Sequence, residues 1–166
     1  MRTRLSITLG AVLVAAIALS PVAAQDFSAP HSYPGSACIF NGTHLRRTTD
    51  GRLAAASYCG GGCVNYYSAT CPLTRSWAAS QVLLWIRGFD ASAAGDISCR
   101  AIRCTADGSS CIYTTPIYSS GTGAYYANWG LSLSSSYAVV TMQCWLPTYT
   151  GSESESVIYT YTADFN

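Results

Sequence analysis

Apolar and polar residues alternate along several short segments of this chain, and a period of two is typical of β-strands with one buried face. In segment 137–146 the apolar positions are Ala138, Val140, Met142, Cys144 and Leu146. The intervening residues predicted to face outward are Tyr137, Thr141, Gln143 and Trp145. In segment 81–90 the pattern predicts Val82, Leu84 and Ile86 on one face and Leu83, Trp85 and Arg87 on the other.

Segments rich in Val, Ile, Tyr, Thr and Trp are separated by clusters of Gly, Ser and Asp. They predict strands at 37–41, 53–58, 64–71, 82–89, 96–104, 111–118, 124–133, 137–146 and 156–163. Strands at intervals of about ten to fifteen residues, with turns between them, are typical of sandwiches. The sequence therefore predicts an all-β fold: a single antiparallel β-sandwich of jelly-roll or immunoglobulin-like type. A helical turn within 77–86 is the one alternative.

The first 24 residues have the pattern of an export signal. A positive start (Met1 to Arg4) is followed by an apolar stretch (Leu5 to Leu19) and by small residues before Gln25. The alternative is a membrane anchor, but a span needs about 20 apolar residues and this stretch is shorter. We expect cleavage before Gln25, a secreted or periplasmic location and no membrane association afterwards. Residues 25–36, rich in Ser and Pro, are predicted to be a flexible lead-in to a domain at 37–166.

The eight cysteines all follow the predicted signal, at positions 38, 59, 63, 71, 99, 104, 111 and 144. An even number in an exported chain predicts four disulfides. Cys104 and Cys111 flank an Asp-Gly turn and should pair across a hairpin. Cys59 and Cys63 could close a glycine loop, and Cys99 and Cys144 lie in strands expected to be central, which leaves Cys38 with Cys71. Zinc binding by Cys59/Cys63 and Cys99/Cys104 is the less favoured alternative.

Charge and chemistry argue against several classes of function. Beyond residue 24 the chain has seven Arg, no Lys and eight carboxylates, so its net charge is 7 − 8 = −1. Nucleic-acid binding, which requires neutralisation of phosphates, is disfavoured. The sequence contains no Gly-x-Ser-x-Gly motif that would supply a nucleophile for His31 or His44, and most of the carboxylates are explained as turn residues. Glu153 and Glu155 fit a solvated loop better than a calcium site. We therefore expect no catalysis, no metal and no cofactor.

Aromatic residues are the one enriched candidate for binding: the chain has 12 Tyr, 4 Trp and 4 Phe. Such rings stack on sugars, and their polar atoms reach hydroxyl groups. Period-two alternation places Tyr125 and Trp129 on one face, with Asn128 or Gln143 able to reach a hydroxyl. A second candidate set is Trp85, Tyr137 and Trp145. The alternative is that these residues only fill the pleated surface, since strands favour aromatic residues.

Several short motifs resemble the small secreted β-rich proteins of unknown function found in myxobacteria and related proteobacteria. The motifs are Ala69–Leu73, Gly88–Asp90, Asp96–Cys99, Gln143–Pro147 and Ser156–Tyr161. The resemblance spans residue 38 to the end of the chain and implies a β-sandwich and export. It supplies no catalytic residues, and Cys59, Cys63, Cys104 and Cys111 look like additions to a simpler pattern of four cysteines.

These patterns favour an exported, non-catalytic β-sandwich that binds a glycan or another extracellular or envelope component through outward aromatic residues. The alternative is a structural or protein-interaction module, such as a surface coat component or an inhibitor. A small hydrolase ranks third, because neither a nucleophile with a histidine nor a pair of carboxylates is apparent.

Overall fold

The structure is a computed structural model that describes residues 30–56, 64–73, 79–133, 137–148 and 155–166, with Tyr137 and Ala138 described only in their backbone. In chain order the strands are β1 (His31–Pro34), β2 (Ile39–Phe40), β3 (Leu45–Arg47), β4 (Leu53–Ala55), β5 (Tyr66–Pro72), β6 (Gln81–Asp90), β7 (Ser98–Thr105), β8 (Cys111–Tyr113), β9 (Ile117–Tyr118), β10 (Gly123–Ser132), β11 (Tyr137–Pro147) and β12 (Val157–Phe165). One 3₁₀ turn, Gly35–Ala37, follows β1, and none of the described residues is α-helical.

Two antiparallel sheets form the predicted β-sandwich. The first sheet has the order β10-β6-β12-β4-β3, with β1 also paired to β12. The second sheet has the order β2-β5-β11-β7-β8, with β9 also paired to β7. The sheets bury one shared core, so every long strand presents alternate residues to the core and to the outside.

The two strands with the clearest alternation face the core as predicted. Val82, Leu84 and Ile86 of β6 are fully buried, and so are Val140, Met142, Cys144 and Leu146 of β11. Of the segment 77–86, residues 77 and 78 lie outside the described residues and none of residues 79–86 is helical; from residue 81 onward the segment is β6, which pairs with β10 and β12. The predicted strand at 111–118 is divided into β8 and β9; Pro116, which has no N–H to donate to a ladder, lies between them.

The lead-in prediction is wrong for residues 31–34, which form β1 and pair with β12. Ser32 Oγ and Thr162 Oγ1 are hydrogen-bonded at 2.9 Å, and the Tyr33 ring stacks on Tyr161 with centroids 5.1 Å apart. The Ser and Pro residues of this segment are more typical of loops, so the sequence pattern did not indicate a strand here. Pro34 is tolerated because β1 pairs with β12 alone among the strands of the described residues. Residues 25–29 lie outside the described residues, and so does the predicted signal.

Three predicted disulfides are confirmed: Cys38–Cys71, Cys99–Cys144 and Cys104–Cys111. Cys144 lies directly opposite Cys99 in the ladder between β7 and β11, and Cys111 lies opposite Cys104 in the hairpin. Because Cys99 and Cys104 are each bonded to another cysteine, zinc binding by this pair is wrong. Cys59 and Cys63 lie outside the described residues, so their pairing stays a prediction.

The connection after β6 is organised by a buried carboxylate. Asp90 is fully buried, and its two oxygens accept hydrogen bonds from Ser92 N, Ser156 Oγ, Ile97 N and the Ser119 hydroxyl. The partners come from three segments, namely the connection from β6 to β7, the stretch after β9 and the residue before β12, so one side chain holds together several loops at this end of the sandwich. Along the part of the chain that the structure describes, no helix is long and apolar enough to cross a membrane.

Candidate functional site

Tyr125 and Trp129, predicted as an exposed stacking pair, are buried in the core. Their exposed fractions are 3% and 8%, and Ala127 between them is buried as well. The predicted pairing on one face is correct, but that face is the inner one. The outward residues of β10 include Tyr126, which is 49% exposed, and Asn128. Tyr125 and Trp129 therefore pack the sandwich and do not form a sugar platform.

Two buried tyrosines hold the core together through their hydroxyl groups. Tyr125 donates a hydrogen bond to the Ile117 carbonyl oxygen at 2.8 Å, and Tyr161 of the first sheet donates to the Pro72 carbonyl oxygen of the second at 3.1 Å. Burial raises the pKa of Tyr125 well above its ordinary value, and burial raises the pKa of Tyr161 to about 12. Both phenols remain neutral wherever the protein is folded at moderate pH.

We expect stability to fall in alkaline solution because of these two phenols. A pKa raised by folding favours the protonated native state, so the stabilisation is complete below about pH 10 and is lost as the pH rises towards about 12. Urea unfolding between pH 8 and pH 11.5, with parallel ultraviolet titration of tyrosinate, measures this loss. An unfolding free energy that stays constant above pH 10 would contradict it.

The second predicted aromatic set is divided between the two outer surfaces. Trp85 lies on the outer face of the first sheet, whereas Trp145 and Gln143 lie on the outer face of the second. The side chain of Tyr137 lies outside the described residues. Trp85 and Trp145 therefore cannot contact one ligand ring, and the prediction of a single set is wrong. The sequence could not show this because the two strands belong to different sheets.

An open depression lies on the outer face of the first sheet. It has a volume of about 300 Å³ and is lined by six residues, which we call the Trp85 face: Ser32, Trp85, Arg87, Tyr126, Thr160 and Thr162. The lining combines two aromatic rings, the aliphatic hydroxyl groups of three residues (Ser32, Thr160 and Thr162) and one guanidinium. It is therefore both apolar and rich in hydrogen-bonding groups, as pockets for polar small molecules are.

Strand register brings these side chains together in two rows. One row runs from Asn128 on β10 through Trp85 and Thr162 to Ser32 on β1. The other runs from Tyr126 through Arg87 to Thr160. Tyr126 and Trp85 are diagonal neighbours, a separation of about 7–8 Å at which large rings still form one surface. Of the predicted ligand-binding residues, Trp85 and Asn128 thus lie next to each other.

A bulge in β12 makes the second row possible. Ile158 pairs with Gly88 and Thr160 pairs with Arg87, so Tyr159 is an extra residue in the strand. The inward residues are Ile158 before the bulge and Tyr161 after it, three positions apart instead of two. The bulge therefore turns Thr160 and Thr162 towards the outside. Strict alternation could not have identified these two threonines as site residues.

The guanidinium of Arg87 lies over the ring of Tyr126. Its Cζ atom is 6.0 Å from the centroid of the Tyr126 ring, at the limit of a cation–π contact. Among the described residues that line the face, none is a carboxylate. The face can stack, donate and accept hydrogen bonds, but its residues do not provide the acid and base that hydrolysis requires. Ser32, Arg87, Tyr126, Thr160 and Thr162 were not predicted as site residues.

A different arrangement occupies the outer face of the second sheet. The Arg100 guanidinium lies over two rings, with Cζ 4.3 Å from the Tyr113 centroid and 5.0 Å from the Trp145 ring. Arg100 Nε and Nη2 both donate to Gln143 Oε1, at 3.2 Å and 2.8 Å. We call these four residues the Arg100 cluster. Gln143, predicted to contact a ligand hydroxyl, instead positions an arginine.

The remaining candidates for chemistry have structural roles. The His44 ring stacks on Tyr67 with centroids 4.2 Å apart, and Glu155 pairs with Arg46 at 2.6 Å. Asp96 accepts hydrogen bonds from Ser119 and from the Gly121 backbone. Among the described residues there is no group of His, Cys, Asp and Glu suited to hold a metal ion. Glu153 lies outside the described residues.

No protein-family model matches the sequence, and no curated protein sequence matches it. The chain is similar to the C-terminal CBM6 of the marine laminarinase LamC from Zobellia galactanivorans: the identity is 9%, the TM-score is 0.49, and the match covers 82% of this chain and 99% of that one. The chain is also similar to the isomalto-dextranase of Arthrobacter globiformis T6 complexed with panose, with an identity of 10% and a TM-score of 0.42; that match covers 84% of this chain and 24% of the other. For a family 16 carbohydrate-binding module-2 the identity is 11% and the TM-score is 0.38, and the match covers 80% of this chain and 79% of the other.

Proposed function

We propose that this protein is an exported, non-catalytic β-sandwich that binds a glycan through the Trp85 face. The observation that carries the proposal is the composition of that face: Trp85 and Tyr126 share one open depression of about 300 Å³ with three aliphatic hydroxyl groups and a guanidinium. Sugars present apolar ring faces and a rim of hydroxyl groups, so a ligand of this kind matches both parts of the lining.

The ends of the depression suit an extended ligand. Tyr126 is half exposed on the edge strand β10, and Ser32 lies on the edge strand β1 at the other end of the two rows of side chains. A chain of sugar units could therefore cross the first sheet from one edge to the other. The side chains that it would meet are held by a hydrogen-bonded sheet, so little ordering is needed on binding.

The test is affinity electrophoresis of the mature protein in gels containing laminarin, xylan, dextran or galactomannan. We expect retention by at least one polysaccharide, and we expect Trp85→Ala to weaken it at least about tenfold, because loss of a central aromatic contact costs upward of about 2 kcal/mol. Tyr126→Ala should weaken it as well.

Tyr66→Ala is the matched control. Tyr66 is 48% exposed but lies on β5 of the second sheet, so its loss removes an aromatic ring without touching the Trp85 face. The proposal is wrong if no polysaccharide retains the wild-type protein, or if Tyr66→Ala and Trp85→Ala have equal effects. The first result would favour the alternative function, a structural or protein-interaction module.

A further inference from the structure

We infer that the Arg100 cluster is a second binding site, on the opposite outer face from Trp85, and that it takes the carboxylate of an acidic sugar such as a uronate. Arg100, Tyr113, Gln143 and Trp145 build it from β7, β8 and β11. The inference does not depend on the Trp85 face, because no residue is shared between the two.

The guanidinium of Arg100 is fixed on one edge and open on the other. Nε and one N–H of Nη2 are directed to Gln143 Oε1. Arginine has five N–H donors in a planar fork, so both N–H groups of Nη1 and the second N–H of Nη2 remain. Among the described residues none accepts a hydrogen bond from this remaining edge. Its two parallel donors are the ones that bind a carboxylate in a bidentate manner.

The charge of Arg100 also lacks a partner within the described part of the chain. The ion pairs seen there join Arg46 to Glu155 and Arg52 to Asp50, and none involves Arg100. Arg100 is nevertheless half buried, with its guanidinium packed against both rings. A cation that is partly removed from water and already fixed in orientation gains from an incoming anion, since little side-chain entropy remains to be lost.

The surroundings favour a sugar acid over an acidic peptide. Tyr118 is 63% exposed and lies opposite Ser98, one position along the outer face from Arg100, so it is a diagonal neighbour. A pyranose ring stacked on Tyr118 would have its carboxylate within reach of the open guanidinium edge. Ser68 lies opposite Trp145 in the same row, is exposed, and offers a hydroxyl group.

The experiment is isothermal titration calorimetry with three probes: polygalacturonate, its methyl ester and polyglutamate. We expect wild-type protein to bind polygalacturonate, with affinity falling as salt rises, and to bind the uncharged ester at least about tenfold more weakly, since charge-assisted hydrogen bonds contribute about 1.5–3 kcal/mol. Arg100→Lys retains the positive charge but lacks the planar pair of N–H donors, so it should also bind polygalacturonate at least about tenfold more weakly.

Trp85→Ala distinguishes this site from the proposed function, because it should bind polygalacturonate as the wild type does. Each variant is first checked for an unchanged urea midpoint, and Arg100→Gln is the second variant should Arg100→Lys unfold. The inference is overturned by equal binding of acid and ester, or by an unchanged affinity in both Arg100 variants. Equally tight binding of polyglutamate would overturn the assignment to a sugar.

Discussion

Replacement of Trp129 by Ala should lower the free energy of unfolding by about 3–5 kcal/mol, the range for truncation of a large buried aromatic residue. Trp129 is only 8% exposed and packs in the core between the sheets. The truncation would remove its apolar contacts and leave a cavity that the flanking strands can only partly fill. Urea unfolding under non-reducing conditions, followed by circular dichroism, measures the change.

Tyr126→Ala is the control for Trp129→Ala, because Tyr126 lies on the same strand and faces the opposite way. With 49% of its surface exposed, its loss should change the free energy of unfolding by about 1 kcal/mol or less. A change of less than about 1 kcal/mol in the free energy of unfolding of Trp129→Ala would mean that Trp129 does not face the core, and the assignment of the two faces of β10 would be wrong.

Asp90→Ala should destabilise the protein by at least about 4 kcal/mol. The side chain accepts four hydrogen bonds, and each buried donor left without an acceptor costs about 1–3 kcal/mol. Its loss would leave the donors Ile97 N and Ser156 Oγ without their acceptor, and Ser119 would keep only its longer hydrogen bond to Asp96. We expect the loops after β6 to loosen first, which amide hydrogen exchange at residues 91–97 would detect.

Two variants calibrate the Asp90 result. Asp90→Asn has a single acceptor oxygen, so it should lie between the wild type and Asp90→Ala. Asp50→Ala removes an exposed carboxylate paired with Arg52 at 2.7 Å and should have little effect, as exposed ion pairs usually do. Should Asp90→Ala unfold at the same urea concentration as Asp50→Ala, the buried hydrogen bonds would not be holding the loops.

The strands that could be predicted from sequence are those with one apolar and one mixed face. In β11 the buried residues are all apolar and in β6 the apolar set Val82, Leu84, Ile86 is unbroken, so period two identified the inner face. In β10 both faces carry aromatic residues: Tyr125 and Trp129 point inward and Tyr126 points outward. Alternation then predicts which residues share a face, but not which face meets the core.

The candidate site was harder to predict because it depends on register between distant segments. Trp85 and Asn128 were both identified, but only the pairing of β6 with β10 shows that they are neighbours. Ser32 lies on a four-residue strand that sequence placed in a flexible segment, and Thr160 and Thr162 face outward only because of the bulge at Tyr159. No local pattern in the sequence encodes these three contributions.

The indole N–H signals in an amide correlation spectrum test the glycan-binding proposal most directly, because each of the four Trp residues gives a separate peak. The titration uses an oligosaccharide from whichever polysaccharide retains the protein. The Trp85 signal, assigned from a Trp85→Phe spectrum, should shift progressively, whereas the buried Trp129 and the opposite-face Trp145 should stay in place. Binding that shifts Trp145 and leaves Trp85 unchanged would contradict the assignment of the glycan to the outer face of the first sheet.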